Sequence, residues 1–209
     1  MAMHYGILAA GAPLEPFVAA LQQQIGGIAP GERRGTLENV HPDDDADGWH
    51  LGIGEHGGAT YVCDISSMIS ADADVVVQTS RLLQTTVVGC GAETGSGTFW
   101  FYAALGGTLL HGYWMCFSSV DAPWLAGTPL PDEILEEMPD PSGAGLMKAL
   151  ASVGFDYEAW ERRPDLSDLI WIESEPLEDG PLATQIRDYE RSLRPVKPPK
   201  KGRFGFPGR

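Results

Sequence analysis

Between Thr86 and Phe117 the chain alternates strand-like runs with glycine turns, and this stretch limits the possible fold more than any other feature. Thr86–Glu93, Thr98–Leu105 and Thr108–Phe117 are rich in β-branched and aromatic residues. Thr94-Gly95-Ser96-Gly97 separates the first two, and Gly106-Gly107 separates the last two as a two-residue turn in which glycine supplies positive φ. Connections this short join antiparallel neighbours, so the three runs predict a meander. Pairing Leu105 with Thr108 predicts Tyr102 opposite His111 and Trp100 opposite Tyr113. Phe99, Phe101, Ala103, Leu105, Leu110 and Trp114 then share one face, which reads as core. Trp100, Tyr102, Ala104, Leu109, His111, Tyr113 and Met115 share the other, whose polar tips suit a half-wet surface or a layer beneath helices.

The same logic predicts a hairpin upstream. Trp49–His56 and Ala59–Ile65 flank Gly57-Gly58, and closing that turn sets His56 against Ala59, Gly54 against Tyr61 and Gly52 against Cys63. A short buried strand over His4–Ala9 precedes a helix opened by Pro13, with Leu14, Phe17, Val18, Leu21 and Ile25 on one face and Gly26-Gly27 as its stop. A second helix over Asp72–Leu83 carries Val75, Val76, Thr79, Leu82 and Leu83 as its apolar stripe, with acids in its first turn to suit the dipole. Residues 28–48 and Trp124–Pro131 read as loops. Asp132–Met138 reads as a short acidic helix. A helix capped by Ser142 and stopped by Gly154 follows, then a turn capped by Asp156, a strand over Asp168–Glu173 and a helix over Ala183–Leu193.

The 209 residues give room for one good core. The expected fold is therefore α+β: a single domain over residues 1–194 with a central antiparallel sheet, hairpin plus three-stranded meander, and helices packed on it. Residues 195–209 are rich in proline, glycine and basic side chains and are expected to form a flexible tail.

Charge divides along the same line. The formal net charge is −15, yet all seven basic residues from Arg191 onward (Arg191, Arg194, Lys197, Lys200, Lys201, Arg203 and Arg209) lie in a stretch without an acid, so residues 1–190 carry a net −22. Such a body repels nucleic acid and anionic lipid and attracts a basic partner. Phe204 and Phe206 among the tail's cations offer at most weak affinity for nucleic acid. No run of about 18 apolar residues is present, and the first residues lack a secretory signal pattern, so a cytoplasmic protein without membrane contact is expected.

The motifs for chemistry are incomplete. Gly89–Gly97 is glycine-rich but lacks the Gly-Lys-Ser/Thr ending and the following helix of a phosphate loop. Asp43-Asp44-Asp45-Ala46-Asp47 supplies only part of a calcium loop and reads better as a solvated acidic run. Cys63, Cys90 and Cys116 form no Cys-x-x-Cys pair, and each lies in an apolar run where cysteine serves as a small hydrophobe. No metal or cofactor is expected. Cys63 with His50 or His56 is the one arrangement that suggests a small hydrolase or transferase, given a thiol and an imidazole on one face.

A protein-binding face is the stronger expectation. Asp132, Glu133, Glu136 and Glu137 spread carboxylates around a short helix, and Trp124 and Trp160 offer aromatic anchors, with Trp100, Tyr102, His111 and Tyr113 as further contact residues on the meander. The stretch Thr98–Met138, with Phe99-Trp100-Phe101-Tyr102, the Gly106-Gly107 turn, Gly127-Thr128-Pro129-Leu130-Pro131 and an acidic helix, resembles small bacterial α+β immunity proteins of toxin systems. That resemblance implies a cytoplasmic protein that binds and neutralises a basic toxin or effector. A nucleic-acid mimic occupying the DNA site of a nuclease is a further expectation.

Overall fold

The computed structural model describes residues 4–26, 28–35, 49–64, 69–93, 95–140, 142–156, 166–171 and 180–193. Among the described residues nine strands form one sheet, every neighbouring pair antiparallel. In chain order the elements are β1 (His4–Ala10), α1 (Leu14–Ile25), β2 (Ile28–Gly35), β3 (Trp49–His56), β4 (Ala59–Cys63), α2 (Ala73–Leu83), β5 (Thr86–Glu93), β6 (Thr98–Leu105), β7 (Thr108–Cys116), β8 (Trp124–Gly127), α3 (Asp132–Leu135), α4 (Ala144–Ser152), β9 (Leu166–Trp171) and α5 (Pro181–Leu193). The sheet order is β2-β9-β3-β4-β1-β5-β6-β7-β8, so the first strand of the chain lies at its centre. This is the expected single α+β domain, with a larger sheet than the hairpin and meander alone.

Local chemistry accounts for the elements. Pro13 precedes α1, where its missing N–H is no loss, and Gly26 ends it at φ 77°. Asp72 caps α2 by accepting from the N–H groups of Asp74 and Val75 at 2.8 and 3.2 Å. Gly57 and Gly58 turn the β3–β4 hairpin at φ 59° and 81°, and the register is the expected one: Gly52 faces Cys63, Gly54 faces Tyr61 and His56 faces Ala59.

The central strands are buried on both faces. Alternation along the strands sends Leu8, Val62, Val87, Trp100, Tyr102 and Ala104 toward Phe17 and Leu21 of α1, Val76 of α2 and Ile186 of α5. Ile7, Tyr61, Cys90, Phe99 and Phe101 point the other way, onto Ile134 of α3, Met138, and Leu146 and Leu150 of α4.

Several expectations are corrected. Residues 28–35 and 124–127 are edge strands rather than loop; prolines within or beside them are tolerated because an edge leaves N–H positions unpaired. Leu82 is 45% exposed, and the stripe of α2 instead includes Ser80. The β6–β7 register is as expected only at the turn. Leu105 faces Thr108 and Ala104 faces Leu109, but the register shifts there, so that Ala103 faces His111, Tyr102 faces Gly112 and Trp100 faces Trp114. A bulge at Leu110 inserts one residue and flips all that follows. Tyr113 and Met115 therefore join Phe99 and Phe101 in the cluster under α3 and α4. The turn capped by Asp156, the acidic run at 43–47 and the tail from 195 lie outside the described residues.

Candidate functional site

The acidic segment after β8 folds back against the sheet. Pro131 starts the single turn of α3, and the chain continues through turns to Asp140. Ile134 and Met138, four residues apart, are buried in the core cluster, with Leu135 packed against it. That inward stripe forces the carboxylates outward. Asp132, Glu133, Glu136 and Asp140 are exposed, and Glu137 is half-buried. Lys148 of α4 donates to Glu137, tying the segment to the helix beside it. Asp132, Glu133 and Glu136 form no ion pair among the described residues. The N–H of Ser142 donates to Asp140 at 2.8 Å and holds its carboxyl below the ordinary carboxylate value. The segment is firmly seated because Gly145 of α4 lies directly against the backbone at Glu137 and Met138, where a side chain would not fit.

The aromatic residues expected beside these carboxylates are placed elsewhere. Trp100 is 2% and Tyr102 0% exposed, both beneath α1 and α2; Trp124 is buried in the same cluster, its ring edge-on to Tyr102 at 6.4 Å. Tyr113 is buried on the opposite face, its hydroxyl 3.7 Å from the Met115 sulfur. None of these four is available as a surface anchor, because helices cover both sides of the sheet. His111 is half-buried, with Nδ1 2.6 Å from the Thr128 carbonyl. Trp160 lies outside the described residues. Of the expected partner-binding residues, the structure thus brings together Asp132, Glu133, Glu136 and Glu137.

The thiol–imidazole arrangement does not assemble around His56. That residue pairs with Ala59, four positions along the strand from Cys63, a separation of roughly 13 Å at the rise of a strand. The side chain of His50 is outside what the structure describes. Among the described residues no group of three or more histidine, cysteine, aspartate or glutamate side chains is placed to hold a metal ion. No helix among them is long and apolar enough to cross a membrane.

The surroundings of Cys116 are rich in hydroxyl groups. Its sulfur lies 3.1 Å from the Ser118 hydroxyl, and Ser96 bridges Glu93 and Thr98 at 2.8 and 2.6 Å on the adjoining loop. Burial pushes the thiol up, but hydrogen bonds from Ser118, Ser119 and Thr98 outweigh it and leave the thiol below its ordinary value. The sequence signal for this cluster was the run Cys116-Phe117-Ser118-Ser119 opposite Ser96-Gly97-Thr98, hydroxyls on both sides of one strand end.

Comparison with protein-family models, with curated protein sequences and with solved structures finds no match to this chain.

Proposed function

We propose that this chain is a protein-binding inhibitor of the immunity type, whose acidic ledge from Asp132 to Asp140 covers a basic surface on a toxin or effector. The observation that carries this reading is the contrast within one short segment. Ile134 and Met138 are anchored in the core while Asp132, Glu133 and Glu136 stand exposed without a cation among the described residues. Carboxylates that repel one another on a rigid support are preorganised for a cationic partner, which relieves the repulsion on binding. The net −22 of residues 1–190 adds a long-range field that speeds encounter with such a partner. Cytoplasmic action on a soluble partner belongs to the same reading.

Capture of partners on the tagged full chain, at low and at high salt, tests it. The expected result is one basic protein at near-equal stoichiometry, lost at high salt and lost from the triple variant Asp132→Lys, Glu133→Lys, Glu136→Lys. A partner retained by that variant, or indifferent to salt, would sink the proposal. Adding excess duplex DNA separates the mimic reading, because only a partner whose nucleic-acid site is occupied will be displaced.

A further inference from the structure

The two edges of the sheet differ in how they treat a further strand. β2 is outermost on one side, and it carries Pro30, Glu32, Arg33 and Arg34 with a break in register between Pro30 and Arg34. Proline, charge and irregularity are the devices that keep another strand from adding to an edge. Among the described residues β8 is outermost on the other side. Trp124-Leu125-Ala126-Gly127 contains neither proline nor charge, and it pairs with β7 in unbroken register. Leu125 is 46% exposed, and Gly127 is exposed as well. Shortness is the one guard this edge keeps, and it limits pairing to a brief stretch.

The unguarded edge adjoins the acidic ledge. Trp124 and Ala126 belong to the cluster beneath α1 and α2, so alternation turns Leu125 to the opposite face, where its cross-strand neighbour Tyr113 packs in one cluster with Ile134 and Met138. Asp132 follows Gly127 by five residues, no more than about 18 Å of extended chain. An exposed leucine, an open strand edge and the exposed carboxylates of Asp132 and Glu133 therefore share one face and one end of the sheet.

We propose that β8 receives an extended segment of the partner as an additional strand, one that carries lysine or arginine at alternate positions. The inference rests on the acidic-ledge reading for the charge of that segment and adds the way it is held. Main-chain hydrogen bonds to an open edge fix register and direction, while the side chains that fall on the ledge face decide which strand is accepted. A lysine or arginine there lays its aliphatic stem along Leu125 and carries its charge toward Asp132 and Glu133. Pairing over so short an edge supplies little affinity, so the charges supply the rest. A second copy of this chain does not fit, since edge-to-edge pairing would bring together two bodies that each carry net −22 over residues 1–190.

A labelled octapeptide of alternating lysine and threonine, added to the full chain at low salt, tests this against the same peptide methylated at every backbone nitrogen, which keeps the charge and loses the donors. Fluorescence anisotropy is expected to show the unmethylated peptide binding at least about tenfold tighter, and Leu125→Lys, which places a cation on the edge, is expected to weaken it at least about tenfold. Amide hydrogen exchange in β8 is expected to slow on binding while β2 is unchanged. Absence of binding, equal binding of the two peptides, or β8 amides unmoved by the peptide overturns the strand. The last result includes an edge already filled by residues 195–209 or by a second copy, and it is read on the wild type, so a variant that fails to fold does not blunt the test. The triple variant Asp132→Lys, Glu133→Lys, Glu136→Lys separates the two readings. A peptide lost from that variant that never slowed β8 overturns the strand and leaves the ledge, whereas a peptide that slows β8 in that variant as in the wild type upholds the edge and sinks the ledge.

Discussion

Gly89 in β5 lies so close to the backbone of Ser70 that a Cβ on Gly89 would stand 2.5 Å from the Ser70 carbonyl oxygen and 2.6 Å from a methyl of Val76. The turn that leads into α2 rests directly on the sheet at this point. Gly89→Ala is therefore expected to destabilise the domain by about 3 kcal/mol, the upper range for overpacking, because the obstructing atom belongs to backbone and cannot rotate away. Urea unfolding followed by tryptophan fluorescence checks this; an unchanged midpoint would show that the turn does not press on the sheet.

The Tyr102 hydroxyl is fully buried and has no hydrogen-bond partner among the described residues. Burial first, and the charges of Asp72 and Asp74 second, push its ionisation far above the ordinary tyrosine value. Removing an unsatisfied hydroxyl removes its desolvation cost, so Tyr102→Phe is expected to leave stability unchanged or raise it by about 1 kcal/mol. A loss of more than about 1 kcal/mol would instead reveal a bonded water at the hydroxyl.

Asp72 couples stability to pH. Burial raises its carboxyl above 3.8, against the lowering effect of the Val75 and Asp74 N–H groups, and the Asp74 charge raises it further. The native state thus holds this proton more tightly than the unfolded chain. The associated stability is full below the unfolded value and is lost as pH rises through the raised native value. Asn caps a helix as well as Asp does, so Asp72→Asn is expected to gain on the wild type as pH rises from the unfolded value of 3.8 through the raised native value. Urea midpoints across that range measure the difference, and a variant that falls behind as pH rises would reverse the sign argued here.

Thiol reactivity should rank the three cysteines. Cys116 is 8% exposed and has a thiol below its ordinary value, whereas burial drives Cys90 far above it. Alkylation of the native protein, read by mass spectrometry, is expected to modify Cys116 first and Cys90 last, and Ser118→Ala should slow the first step several-fold. Labelling of Cys90 before Cys116 would contradict the burial of β5.

The hairpin register was legible because a two-residue connection at Gly57-Gly58 dictates every pair behind it. The meander was not, although its turn is also Gly-Gly. Its bulge is held from outside: the Leu110 carbonyl accepts from the Thr128 N–H at 2.7 Å, and Gly127 lies against the same carbonyl too closely for a side chain. Both partners come from the end of β8 and the residue after it, and apolar residues on either face of β7 leave no contrast to betray the shift. The acidic ledge was readable from Ile134 and Met138, whose spacing turns the carboxylates outward. The aromatic anchors were misplaced for the opposite reason, since periodicity assigns residues to a face without telling what covers it.

The place of β9 between β2 and β3 has a consequence for synthesis. A nascent chain displays β3 with one side open until Leu166–Trp171 has left the ribosome, on the order of ten seconds later at ordinary translation speed. During that interval the β3–β4 hairpin offers an unpaired edge to any neighbouring chain. Ribosome-stalled lengths that end before β9 are therefore the species in which self-association of this protein will concentrate.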